Sequence, residues 1–193
     1  MYQKYQILLG TFLTAFFLSG CGATKVVPPQ SIDDGVEVYL LDHGLHSTLI
    51  LPFEDGVFYR WGYGDFRYYA MGEKSYGVTF FALFTPTKAA LARERLFLPI
   101  NLDNMAKNSY TIELERAKVY QLQKELLFIF ENSSVSYSHQ DSSYEYVRHP
   151  MDYHLLHNSN KVVAQWLESM GSEVSKYPIL ANWNIQESRL LER

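Results

Sequence analysis

The sequence predicts an α+β fold, on three observations. Short strand-like runs crowd the first half of the mature chain, helical periodicity appears only later, and 47% of the 193 residues are hydrophobic, enough for one real core. The expected architecture is a single globular domain over 35–193, in which a central antiparallel sheet packs against two helices. Val36 to Leu41 ("VEVYLL") reads as the first strand, followed by a turn at Asp42-His43-Gly44. His46 to Leu51 ("HSTLIL") is the second, stopped by Pro52. Glu54-Asp55-Gly56 is a hairpin turn into a third strand, Val57 to Trp61. Gly62-Tyr63-Gly64-Asp65 is expected to break that strand, and a short helix is expected around Lys88 to Arg93. Tyr110 to Leu114 is another strand. Ala117 to Phe130 is a helix, with Val119, Leu122, Leu126, Ile129 and Phe130 on one stripe. Asn132 to Gln140 reads as a polar loop, and Ser159 to Met170 as the second helix before an aromatic tail with Trp183.

Composition excludes several classes. Aromatics reach 16%, with 15 Tyr and 12 Phe, which argues against disorder. A formal charge of −4 gives no support to nucleic-acid binding. No repeat or low-complexity tract is visible.

The first twenty residues stand apart. Lys4 precedes an apolar run, Ile7 to Leu18, that is short for a membrane-spanning helix. The run ends in Leu18-Ser19-Gly20-Cys21, which resembles a bacterial lipobox, and Cys21 is the sole cysteine. The resemblance implies a signal peptide over 1–20, a lipid anchor on Cys21 and a tether over 21–34. Cleavage removes only Lys4 among charged residues, so the charge goes from −4 to −5. Gly22 rather than aspartate after the cysteine resembles an outer-membrane sorting signal, which places the domain in the periplasm. Acyl chains then supply the membrane affinity, and the membrane is the first expected partner. With one cysteine, no disulfide forms within the domain, and stability comes from packing.

The chemistry centres on "LLHNSNKVVAQWLESMG", Leu155 to Gly171. Val162, Val163, Trp166, Leu167 and Met170 keep helical spacing, Asn158 is a good N-cap, and Gly171 is a good stop. Ser159 therefore sits at the positive end of a helix. It is open to three readings: a cap, a catalytic hydroxyl, or the remnant of a catalytic position.

Three stretches carry a family resemblance: "VYLLDHGLHSTLILP" (Val38 to Pro52), "WGYGD" (Trp61 to Asp65) and "NSNKVVAQWLESMG" (Asn158 to Gly171). Together they resemble an uncharacterised bacterial family, the urease-region conserved hypothetical family. Its pattern is a Gly-Trp-His-Thr strand, a Gly-Trp-Gly-Asp turn and an Asn-Cys-Asn segment opening a late helix. The order His, then Cys at a helix start, is similar to circularly permuted papain-like hydrolases of the NlpC type. The resemblance implies that fold, with His46 as general base, Asp65 orienting its imidazole, and residue 159 as nucleophile. Two departures weaken the enzymatic implication. Ser159 stands where the family has cysteine, and Leu45 where it has tryptophan. A thiol at a helix N-terminus ionises readily, whereas a hydroxyl there needs a strong base beside it.

Each candidate also has a plainer role. His46 shares a strand face with Thr48 and Ile50, leaving Leu49 and Leu51 as the core side. Asp65 is also a common turn residue after glycine. His149, His154 and His157 cluster, but Pro150 interrupts them and no His-Glu-x-x-His pattern exists, so no metal or other cofactor is assigned. His43 is expected in a solvated turn. Tyr59, Tyr63, Tyr68, Tyr69, Tyr137, Tyr144, Tyr146 and Tyr153 build either a core with its rim or a groove for a glycan or lipid. Tyr153, Trp61 and Asn158 are the candidate ligand-binding residues. The expected function is an outer-membrane-anchored envelope lipoprotein, a catalytically impaired relative of papain-like hydrolases that binds an envelope peptide, glycan or lipid. The alternatives are an active amide or ester hydrolase or acyltransferase using Ser159 and His46, and a structural or assembly lipoprotein.

Overall fold

The strand-like runs of the first half become one sheet. The computed structural model describes residues 22–73, 85–139 and 142–186. In chain order the elements are β1 (Thr24–Val27), β2 (Gly35–Asp42), β3 (Ser47–Glu54), β4 (Val57–Asp65), α1 (Phe66–Tyr69), β5 (Thr87–Phe97) and β6 (Asn108–Glu115). Then come α2 (Arg116–Asn132), β7 (Ser136–Ser138), β8 (Tyr144–Tyr153), α3 (Ser159–Ser169), β9 (Glu173–Val174) and β10 (Trp183–Ile185). The main sheet has seven strands in the order β6-β2-β3-β4-β5-β8-β7, and every pairing is antiparallel. The chain is thus α+β, with a largely antiparallel sheet, as the sequence predicts.

Alternation decides what each sheet face carries. Leu49 and Leu51 of β3, Trp61 and Tyr63 of β4, and Ala89 and Leu91 of β5 join one buried cluster. Val119, Leu122 and Leu126 of α2, with Val162, Val163, Trp166 and Leu167 of α3, complete it. The expected stripes of both helices are therefore the faces they bury. At the centre, Trp61 is fully buried and its indole N–H donates to Gln123 Oε1 at 2.9 Å, which satisfies the polar tip of a large apolar ring. On the opposite face Phe66, Ala70, Ala90, Ala92 and Tyr146 form a second, smaller cluster. Turn chemistry at two glycines matches expectation. Gly56 takes φ +75 in the β3–β4 hairpin, and Gly171 takes φ +99 just after α3. At the latter, the Gly171 and Ser172 N–H groups close on the Glu168 and Leu167 carbonyls.

Four expectations are corrected. The helix expected around Lys88 to Arg93 is part of β5. Its alanines favour a helix in isolation, but Ala89 and Leu91 face one buried layer and Ala90 and Ala92 the other, which only a two-sided strand permits. Gly62-Tyr63-Gly64-Asp65 does not break β4, which runs through to Asp65 and pairs with β5 along its whole length. The polar loop after Asn132 contains β7, and β8 follows it where no strand is expected. Pro150 lies inside β8, where the β5–β8 register shifts: Lys88 faces Asp152 while Ala90 faces Arg148. A bulge tolerates a residue with no N–H to donate.

The fourth correction concerns the tether. Residues Thr24–Val27 form β1, the middle strand of a second sheet ordered β10-β1-β9, parallel to β10 and antiparallel to β9. Thr24 and Val26 are buried, and Val26 packs with Trp183 and the α3 residues in the main core. The expected signal peptide and Cys21 lie outside the described residues.

A folded β1 makes a prediction that a loose tether does not. Val26→Ala removes buried apolar volume and is expected to lower unfolding free energy by about 2 kcal/mol. Urea denaturation measures it, and an unchanged midpoint would show that β1 contributes nothing to the core.

Candidate functional site

The start of α3 is tied to the start of β3 by one buried asparagine. Asn160 is fully buried. Its Nδ2 donates to the Leu45 carbonyl at 2.9 Å and to the Ile179 carbonyl at 2.9 Å, and its Oδ1 accepts from Ser47 Oγ at 2.9 Å. Ser47 Oγ in turn accepts from Trp183 Nε1 at 2.8 Å. Asn158 caps α3 by accepting the Lys161 N–H at 3.0 Å, and its Nδ2 donates to the carbonyls of Leu155 and Ile179. Ser159 lies between these two asparagines, and His46 lies between the two residues that Asn160 holds. Both chemical groups are placed by their neighbours.

They share one cleft. A cavity of about 640 Å³ is lined by His43, His46 and Ser159, by the tyrosines 68, 69, 146 and 153, and by Asp65 and Asn158. Leu45, Leu155, Ile179 and Leu180 complete its wall. Its size is that of a small-ligand site, mostly apolar with a few convergent polar groups. A second cavity of about 120 Å³ adjoins it through His46, Tyr69 and Tyr146. Gly62, Gly64, Ala90 and Ala92 line this smaller space, and their small size is what leaves room for it. Gly64 must lack a side chain, because a Cβ there would lie 2.3 Å from the Tyr69 ring.

The geometry removes one of the three readings of Ser159, the cap. Asn158, not Ser159, is the cap, so Ser159 is the first helical residue, with only 4% of its surface exposed. Among the described residues no hydrogen bond joins its hydroxyl to His46. The His46 ring is stacked on His43, with centroids 4.5 Å apart, and Tyr69 meets it edge-on at 5.8 Å. Burial, and then the nearby Arg60 guanidinium, hold the His46 imidazole below its ordinary pKa, with Asp42 opposing. His43 is lowered further, to about 4, first by burial and then by His46 and Arg60. Both rings are therefore neutral at pH 7. Burial raises the Tyr69 and Tyr153 hydroxyls above their usual range, so they present O–H donors.

Asp65 does not orient the histidine. Its Oδ1 accepts the Tyr68 N–H at 2.8 Å, capping α1, and its Oδ2 accepts the Thr87 hydroxyl at 2.5 Å. The plain turn role prevails because one carboxylate oxygen caps α1 and the other holds Thr87 at the start of β5. Trp61 is also displaced from its expected place: it lies in the core against Tyr59 and Phe130 and does not line the cleft. Tyr153 and Asn158 do line the cleft, although the Asn158 amide is spent on backbone partners. Of the candidate tyrosine groove, Tyr59 belongs to the core and Tyr63 meets His149 and His157 edge-on. Tyr68, Tyr69, Tyr146 and Tyr153 remain in the cleft.

Sequence reasoning missed two members. His43, expected in a solvated turn, is partly buried, and its Nε2 lies 3.1 Å from Thr48 Oγ1. Its spacing of three from His46 was the available signal. Asn160 was seen only as a helix-start residue. The segment carrying Ile179 and Leu180 had no local signal, since long-range bonds such as those from the Asn158 and Asn160 amides bring it to the site.

Removing the asparagine amide leaves the Leu45 and Ile179 carbonyls and the Ser47 hydroxyl short of a partner. Asn160→Ala is expected to cost about 3 kcal/mol in urea unfolding, and a loss under about 0.5 kcal/mol would show the network to be dispensable. Acid stability follows from His43 and His149, both lowered from 6.5 to about 4, chiefly by burial. An unfolded chain binds these protons near 6.5, so between 6.5 and 4 it holds more protons than the folded one. Their contribution is complete above 6.5 and is lost as the pH falls toward 4. Thermal melts from pH 7 to 4 are expected to show a flatter acid limb for His43→Gln with His149→Gln; an unaltered limb would contradict the assignment.

Comparison of the chain with protein-family models, with curated proteins and with solved structures finds no significant match.

Proposed function

We propose that this protein is an outer-membrane-anchored envelope lipoprotein, and that its cleft binds an envelope peptide, glycan or lipid without turning it over. The observation that carries this reading is the cleft itself. It is large enough for a ligand and walled by four tyrosines, and Ser159 and His46 both line it with no hydrogen bond between them among the described residues. A serine nucleophile requires a base in contact with it and a group that orients the base. Here no carboxylate bonds to the His46 ring among the described residues, and Asp65 is committed elsewhere. Tyrosines suit a binding wall, because each offers a ring face and a hydroxyl. The lipobox-like Leu18-Ser19-Gly20-Cys21 supports the anchor, and the resemblance of the three motif stretches supports descent from permuted papain-like hydrolases.

A second reading has a specific observation in its favour. His46 is neutral and shares the cleft with Ser159 at the start of an eleven-residue helix. A substrate that draws the two together would make Ser159 the nucleophile and His46 the base of an acyl transfer, with helix-start N–H groups facing the oxyanion. That is the amide or ester hydrolase or acyltransferase.

One experiment separates the two. A muropeptide, an oligosaccharide and a lysophospholipid are titrated against the protein, with melting temperature and product followed together. The binding reading expects one of them to raise the melting temperature, by an amount equivalent to about 2.7 kcal/mol at a hundredfold excess over Kd. It expects Tyr153→Ala to abolish the rise, Ser159→Ala to keep it, and no product to form. Product that disappears in Ser159→Ala moves the assignment to the hydrolase. A rise that survives Tyr153→Ala removes the ligand from this cleft.

A further inference from the structure

The small cavity beside the cleft is a depression built into the sheet by residue size. Cross-strand partners share one face of a sheet, in rows. One row runs Thr48, Gly62, Ala92 and Tyr146 across β3, β4, β5 and β8. The row on one side of it is Gly64, Ala90 and Arg148, and the row on the other is Arg60, Glu94 and Tyr144. Glycine and alanine therefore occupy the middle of two rows, with bulky side chains around them. The space left is the cavity of about 120 Å³. Its floor is close-packed: a Cβ on Gly62 would stand 3.3 Å from Thr48 Cγ2 and 3.6 Å from Ala92 Cβ. Tyr69, whose ring packs on Gly64, lines both this cavity and the cleft, as His46 and Tyr146 do. Asp65 caps α1 and so fixes where the Tyr69 ring stands.

Polar groups in the cavity wall are already engaged. The Thr48 hydroxyl lies 3.1 Å from His43 Nε2, and the Tyr63 hydroxyl donates to the Asp152 carbonyl at 3.0 Å. Ser47 Oγ is held between Asn160 and Trp183. The Tyr144 hydroxyl meets Arg60 and the Tyr146 hydroxyl meets Ser142. Arg60 pairs with Glu94 at 2.5 Å and lies over the Tyr144 ring at 4.7 Å. What these groups leave for a guest is methyl, ring and backbone surface. An apolar cavity of about 150 Å³ holds one benzene, so this one holds roughly four or five carbons. His46 and Tyr69, the polar residues shared with the cleft, stand at the junction, where a guest's polar end would come. A peptide brings a backbone N–H and C=O with every residue, and each needs a partner. An acyl chain brings one carbonyl, at its head.

We propose that the small cavity is the inner end of the binding cleft and takes a short acyl chain of roughly four or five carbons, with its carbonyl beside His46 and Tyr69 and the polar remainder of the ligand in the cleft. This rests on the reading of the cleft as a binding site and names the chemical class it holds. Thr48, Gly62 and Ala92 are then the residues that set chain length.

The test titrates the full-length protein with N-acylglycinamides whose chains run from acetyl to octanoyl, and reads Kd by NMR. Each added methylene is expected to tighten binding about fourfold up to the pentanoyl probe, with little gain beyond it. Ala92→Val fills part of the cavity and is expected to end the gain about two carbons earlier. Thr48→Ser removes the Cγ2 methyl, keeps the hydroxyl that meets His43, and is expected to end the gain about one carbon later. General destabilisation does not move two variants in opposite directions. Circular dichroism checks that both are folded, and if Ala92→Val is not, Thr48→Ser decides alone. A gain that is absent, that continues evenly to octanoyl, or that ignores Thr48→Ser overturns the proposal. So does tighter binding of N-acetyl-leucinamide than of the pentanoyl probe, which moves the occupant to a peptide side chain. The muropeptide, oligosaccharide and lysophospholipid titrations judge the cleft separately. A melting rise lost in Tyr153→Ala, together with a flat chain-length profile, leaves the cleft reading standing and removes only the acyl assignment.

Discussion

The site depends on a single buried amide. Asn160 bonds to the backbone before His46, to the side chain after it, and to the carbonyl of Ile179. A buried amide with all these groups satisfied is a strong positional constraint, because moving any one element strands a polar atom in an apolar core. Three segments of the chain, the starts of β3 and α3 and the segment between β9 and β10, are thereby brought to one point. The cleft is the space left between them. Its residues need not bond to each other, since their neighbours already hold them.

This arrangement separates placement from chemistry. In a working serine hydrolase the nucleophile, base and orienting acid form a chain of contacts that also positions them. Among the described residues no hydrogen bond joins Ser159 to His46 or His46 to Asp65, although Ser159 and His46 line the same cleft. The imidazoles of His43 and His46 stack as neutral, half-buried rings close to Arg60. They resemble one wall of a binding pocket more than a primed base. The second sheet matters for the same reason. By pairing β1 with β9 and β10 it joins the N-terminal end of the domain to the segment that rims the cleft.

Much of the secondary structure was legible because local patterns and tertiary demands agree. The β2 and β6 runs, the β3–β4 hairpin and the stripes of α2 and α3 each carry a period matching the face they bury. Failures fall where the environment outweighs the local signal. Alanines in β5 have no helix-excluding feature, and only burial on both faces makes them a strand. Gly62 and Gly64 look like a break, but Tyr69 needs the space above Gly64. Pro150 hides β8, because a bulge is invisible to periodicity. The segment 24–27 looks polar and proline-flanked, and its pairing with residues some 150 positions away has no local trace.

By itself the sequence determined the α+β class and the helix start at Asn158 with its stop at Gly171. These are properties of local caps, alternation and residue type, which act within one or two turns of chain. Only the tertiary structure decided that Asp65 serves α1 and not the histidine, that Trp61 supports the core and not the ligand, and that Asn160, His43 and Leu180 belong to the site. Those outcomes hinge on hydrogen bonds and packing between distant segments. A side chain's partner there is set by which element arrives beside it, and nothing in its own neighbourhood of sequence records that arrival.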